Sequence, residues 1–110
     1  MDTKEEYEMN DKKISSIKEL TFSDFKVLKH LNLSNNQIAE LNENIFVGLS
    51  QLEILNLTKN KLKSLNFKTV FSKLTNLKVL ILRENEIDSL AENSFQRMYK
   101  LERLDMGTYF

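Results

Sequence analysis

The sequence predicts an α/β repeat solenoid: a curved stack of coils with a short-stranded parallel β-sheet on its concave face and mostly irregular or short-helical convex segments. Three observations predict it. Leucines recur in fixed columns every 24 or 25 residues from Leu28 onward, an asparagine stands at a constant place in each period, and the leucines before it alternate with period two.

The clearest units are residues 28–51, 52–76 and 77–100. They open as Leu28-x-x-Leu31-x-Leu33-x-x-Asn36-x-Ile38, Leu52-x-x-Leu55-x-Leu57-x-x-Asn60-x-Leu62 and Leu77-x-x-Leu80-x-Leu82-x-x-Asn85-x-Ile87. Each continues with an apolar residue (Leu41, Leu65, Leu90), a phenylalanine (Phe46, Phe71, Phe95) and a further apolar residue (Leu49, Leu74, Met98). Counting back 24 residues exposes a degenerate unit over residues 4–27. There Ile14, Ile17, Phe22 and Phe25 fill apolar columns, Tyr7 and Met9 fill the strand weakly, and Lys12 stands in the asparagine column. A further unit begins at Leu101 and runs ten residues. The whole chain, 1–110, thus reads as one repeat domain or a piece of one.

Each alternating segment is a strand too short to bury its face alone. Stacked about 4.8 Å from its neighbours it joins a parallel sheet over a continuous leucine core. Asn36, Asn60 and Asn85 follow the strands, where an amide can satisfy backbone groups of the turn and of the adjacent coil, forming a structural ladder. Asparagine also tolerates tight-turn dihedrals, which suits a loop-rich chain with only Gly48 and Gly107.

These residues resemble the leucine-rich repeat family, whose unit is similar to L-x-x-L-x-L-x-x-N-x-L-x-x-L-x(4)-F-x-x-L. The 24-residue, phenylalanine-containing unit resembles the class found in Toll-like receptors and other extracellular recognition proteins. Where that class carries a proline this chain has Asn42, Asn66 and Ala91, and cysteine-rich caps are absent from the sequence. The resemblance implies a horseshoe arc whose outward strand positions bind a protein ligand or co-receptor. It implies a receptor-like, innate-immune or cell-surface setting and an extracellular location. An intracellular scaffold or regulatory subunit is the alternative, which the absence of cysteine and the charged residues 1–6 would suit.

Composition narrows the function classes. Sixteen basic residues balance sixteen acidic ones, which argues against nonspecific nucleic-acid or anionic-membrane binding. The aromatics occupy core columns instead of interleaving with exposed cations. No apolar run approaches a membrane span of about 18 residues. Without cysteine there is no thiolate nucleophile, and His30, the single histidine, has no second histidine for a metal site. The isolated glycines build no phosphate-cradling loop. No catalytic residue, metal or cofactor is expected, and His30 reads as a surface histidine with no acidic residue in the flanking columns of its own strand.

The outward columns run His30, Ile54, Val79, Arg103, then Asn32, Asn56, Ile81, Asp105, then Ser34, Thr58, Arg83, Gly107. Ile54, Val79 and Ile81 break the polar pattern and would meet as an apolar cluster, rimmed by His30, Arg83 and Arg103. That cluster reads either as a partner-binding centre or as cross-strand packing. Lys59, Lys61 and Lys63 align with Glu84, Glu86 and Asp88 of the next unit. They read as cross-coil ion pairs in preference to a site for an acidic partner. The sequons Asn32-Leu33-Ser34 and Asn56-Leu57-Thr58 mark N-glycosylation sites or are by-products of the repeat, and glycans there would block the concave face. Leu104, Met106, Tyr109 and Phe110 would leave an apolar edge, which reads as a fragment boundary or as a surface for homodimer pairing.

Overall fold

The computed structural model describes residues 3–65, 67–90, 95 and 97–107. Five short strands form one all-parallel sheet in the order β1 (Glu6–Glu8), β2 (His30–Asn32), β3 (Ile54–Asn56), β5 (Val79–Ile81) and β7 (Arg103–Asp105). Each strand comes one coil after the last, so sequence order and spatial order coincide. The register is uniform: Tyr7, Leu31, Leu55, Leu80 and Leu104 lie side by side and point to the core side. The strands sit one residue earlier than the Leu31-x-Leu33 alternation implies. Leu33 follows β2, although its N–H still donates to the carbonyl of Asn56 at 2.8 Å.

Behind the sheet lies a dry core. Leu28, Leu31, Leu33, Leu52, Leu55, Leu57, Leu77 and Leu80 are at most 1% exposed. The phenylalanine column runs through it as a spine: Phe22 stacks on Phe46 at 6.5 Å and Phe46 on Phe71 at 5.9 Å between centroids. Tyr7 takes the leucine place in β1 and meets Phe25 edge-on at 5.4 Å, which fills the degenerate first coil with aromatic volume. In β7 the sheet's leucine column opens, and Leu104 is 37% exposed. Met106 packs partly buried against the core, while Tyr109 and Phe110 lie outside the described residues.

Apart from the main sheet there is an element the periodicity does not announce. β4 (Ser64–Leu65) pairs with β6 (Ser89–Leu90) in a second, two-stranded parallel sheet. Between β4 and Phe71 lies the short helix α1 (Phe67–Val70). The spacing along the chain locates its origin. Leu41 and Leu65 are 24 residues apart, but Phe46 and Phe71 are 25 apart, so the extra residue of the 52–76 unit enters between Leu65 and Phe71. The register of β3 on β5 is unaffected by it.

The turns after β1, β2, β3 and β5 each contain a left-handed residue: Asp11 (φ 58°), Asn35 (φ 53°), Lys59 (φ 56°) and Glu84 (φ 55°). This position is one before the asparagine column, so the ladder asparagines do not supply the tight dihedral. A lysine and a glutamate adopt it instead, at a conformational cost. Gly48 is a different case. At φ 101° it lies so close to the preceding coil that an added Cβ would sit 2.6 Å from Ser23 Cα.

Candidate functional site

The outward positions of the main sheet form one continuous surface because the register is exact. His30 neighbours Ile54, Ile54 neighbours Val79, and Val79 neighbours Arg103. In the next column Asn56 neighbours Ile81, which shares a face with Val79 two residues earlier on β5. Ile54, Val79 and Ile81 are therefore adjacent and half-buried. Arg83 lies two residues beyond Ile81, with its side chain turned toward β7.

The rim residues are held by ion pairs across strands. His30 Nδ1 lies 3.1 Å from Glu6 Oε1 on β1. The acidic partner is in the neighbouring coil, beyond the reach of an inspection confined to His30's own strand. At the opposite end Asp105 accepts from Arg103 Nη2 at 3.0 Å and from Arg83 Nη1 at 3.4 Å. Its Oδ1 also takes the N–H of Gly107 at 3.0 Å. That backbone bond is the largest single cause holding the Asp105 carboxyl below its ordinary value, with Arg103 and then Arg83 adding to it and desolvation opposing them.

The sequon asparagines serve as local braces. Asn32 Oδ1 accepts from the N–H and Oγ of Ser34, at 3.0 and 2.6 Å, and its Nδ2 donates to Glu8 Oε2 at 2.8 Å. Asn56 Oδ1 accepts from Thr58 in the same way, at 3.0 and 2.6 Å. Both close an Asx turn at the strand's end.

The charged turn differs from expectation. Among the described residues, no ion pair within 4 Å joins Lys59, Lys61 or Lys63 to Glu84, Glu86 or Asp88. Pairs seen among the described residues include Lys29–Glu5, His30–Glu6, Arg83–Asp105 and Arg103–Asp105. The backbones are in register, as the Glu86 N–H to Leu62 carbonyl bond of 2.9 Å shows, yet the side chains stay in water. An exposed pair gains too little to offset the entropy of holding two long side chains.

Asn36, Asn60 and Asn85 are sunk into the turn. Asn60 Nδ2 donates to the carbonyls of Leu33 and Leu57, at 3.0 and 3.1 Å, while its Oδ1 accepts from Ile38 N–H at 3.1 Å. Asn36 does the same for Met9 and Ile14, and Asn85 for Leu57 and Leu62. Each asparagine reaches back to the coil before it. The first coil is thus served by Asn36, which also accepts from the Lys12 N–H, and the lysine side chain at that place is not needed for the ladder.

Among the described residues no group of three histidine, cysteine, aspartate or glutamate side chains is arranged to hold a metal ion. No helix there is long and apolar enough to cross a membrane. An open cleft of about 600 Å³ lies at the β1–β2 end, lined by Thr3, Glu5, Glu6, Lys29 and His30.

A stack of parallel-strand coils, leucine-cored and stitched by a backward-reaching asparagine ladder, defines a repeat solenoid. The chain belongs to the leucine-rich repeat family: the family model "Leucine rich repeat" matches residues 9–62 and 52–108. This family is generally a protein-binding, non-catalytic fold. No curated protein matches the chain. Among solved structures, the crystal structure of a TLR13–ssRNA13 complex is similar with a TM-score of 0.78 at 36% identity, over 82% of this chain and 13% of that one. A leucine-rich repeat protein of Leptospira interrogans has a TM-score of 0.78 at 28% identity, over 93% of this chain and 25% of that one. The leucine-rich repeat domain of APL1B, at 23% identity, shares the fold with a TM-score of 0.88, over 94% of this chain and 30% of that one. The chain therefore spans less than a third of each of these structures.

Proposed function

We propose that this chain is a non-catalytic protein-recognition module, one domain of stacked repeats whose concave sheet binds a protein ligand or co-receptor. The observation that carries the reading is the contiguous, half-buried cluster of Ile54, Val79 and Ile81, rimmed by His30, Arg83 and Arg103. Apolar side chains gathered on one exposed face, within a polar rim, have the composition of an interaction core. A receptor-like role, innate-immune or cell-surface, is supported by the 24-residue phenylalanine-containing unit and by similarity to the TLR13 structure.

The solved TLR13 complex contains single-stranded RNA. Here the net charge is zero and the burial of Phe22, Phe46 and Phe71 leaves no stacking platform from those rings, which favours protein as the ligand. The test is affinity capture from extracellular protein mixtures with the wild-type chain and with Ile81→Asp, circular dichroism confirming that both are folded. The specific partner is expected to be lost with Ile81→Asp; equal capture by both proteins would remove the concave cluster from consideration. Single-stranded RNA, run as a parallel probe, is expected not to bind.

A further inference from the structure

We propose that the concave face is electrically polarised, so that it takes in one orientation a protein segment basic at one end, apolar in the middle and acidic at the other. This deepens the recognition reading above and rests on it. At the β1 end the outward positions are Glu6 and Glu8, both exposed, with Glu6 paired to His30 and Glu8 to Asn32. Neither outward column carries a lysine or arginine there. The middle is Ile54, Val79 and Ile81. At the β7 end Arg83 and Arg103 are 49% and 63% exposed, while the Asp105 side chain between them is 14% exposed. Within the outward columns, one sunken carboxylate under two outward guanidiniums leaves that end net positive. The edge column Glu5, Lys29, Glu53, Lys78, Glu102 alternates in sign from coil to coil and adds no gradient.

The distances make both ends matter. Five strands at the usual spacing put β1 and β7 roughly 19 Å apart, about twice the screening length at physiological salt. Each end of the face therefore acts separately on the partner residue above it, and a partner of uniform charge meets repulsion at one end. The basic end of the partner lies beside Glu6 and Glu8, over the cleft lined by Thr3, Glu5, Glu6, Lys29 and His30, in which Lys29 is paired to Glu5. Its acidic end meets the guanidiniums of Arg83 and Arg103, which can each donate two hydrogen bonds to a carboxylate.

The test uses the full chain and synthetic peptides of equal composition, Lys-Lys-Lys-Leu-Leu-Leu-Glu-Glu-Glu and Lys-Glu-Leu-Lys-Glu-Leu-Lys-Glu-Leu, with blocked ends, followed by fluorescence anisotropy. The block peptide should bind about tenfold more tightly in low salt, and the preference should vanish in 0.5 M salt. Arg83→Glu/Arg103→Glu should reverse selectivity toward a peptide with lysines at both ends. Arg103→Glu alone gives the same direction if the double variant fails to fold. Equal affinity for the two peptides, with Ile81→Asp still removing both, overturns the polarity but leaves the recognition face standing. Binding of the block peptide that Ile81→Asp does not alter overturns both. A salt-sensitive dimer that Arg103→Glu dissolves makes the occupant a second copy of the chain and overturns the separate partner.

Discussion

Asn60 donates its amide to the carbonyl of Leu33, 27 residues earlier and one coil back, at 3.0 Å. It bridges two coils with a side chain only 5% exposed. Asn60→Ala leaves the Ile38 N–H without its acceptor, while the Leu33 and Leu57 carbonyls each lose one donor and keep another, from Asn36 Nδ2 and Asn85 Nδ2. That buried orphan costs about 1–3 kcal/mol, so a loss of about 2 kcal/mol in unfolding free energy is expected from urea titration. Asn60→Asp keeps the acceptor for Ile38 but loses the donor, and it should also destabilise. A variant as stable as wild type would show the ladder to be ornamental.

Gly48→Ala should be severe. The new methyl would meet Ser23 Cα, O and C at 2.6–2.8 Å, all backbone, and φ 101° is strained for any L side chain. Strained dihedrals and overpacking together suggest about 2–4 kcal/mol. Thermal unfolding followed at 222 nm reads this directly; a Tm unchanged within a degree would contradict the close approach of the two coils.

Lys59 points the other way. Its left-handed backbone costs roughly 1–2 kcal/mol, while glycine there gives up about 0.5–1 kcal/mol through the flexibility of the unfolded chain. Lys59→Gly should thus stabilise by up to about 1 kcal/mol. Lys61→Gly, two residues on and not left-handed, should only destabilise. The pair of urea midpoints separates a backbone effect from loss of a lysine.

Acid sensitivity should be traceable to Asp105. Its carboxyl is held low by the Gly107 N–H, then by Arg103 and Arg83. A group with a lower pKa folded than unfolded contributes stability that is complete above the unfolded value near 3.8 and is lost as pH falls through the folded value. Asp105→Asn should therefore shrink the difference between urea midpoints at pH 7 and pH 2. An identical difference in both proteins would deny the carboxylate this role.

The arc was legible because a 24-residue period repeats the same buried columns, and a regular register follows from regular spacing alone. Adjacency of His30, Ile54, Val79 and Arg103 was legible for the same reason. Side-chain destinations were not. His30's partner lies in the degenerate first coil, where Tyr7 replaces leucine and weakens the alignment that would have pointed to Glu6. Charges of opposite sign at Lys59–Glu84 and Lys61–Glu86 share a register without touching, since four-carbon stems find water as good a neighbour. The β4–β6 ribbon is two residues per strand, too short to show alternation.

The extra residue between Leu65 and Phe71 has a consequence for how such a molecule can change. It falls in the stretch of sequence that holds α1, and β3 and β5 stay matched residue for residue. Coil length and ligand-facing chemistry are thereby decoupled: the outside can lengthen or shorten in small steps while the inner face keeps its spacing. Variation in circumference need not disturb specificity, and new specificities can arise by exchanging outward residues on an unchanged frame.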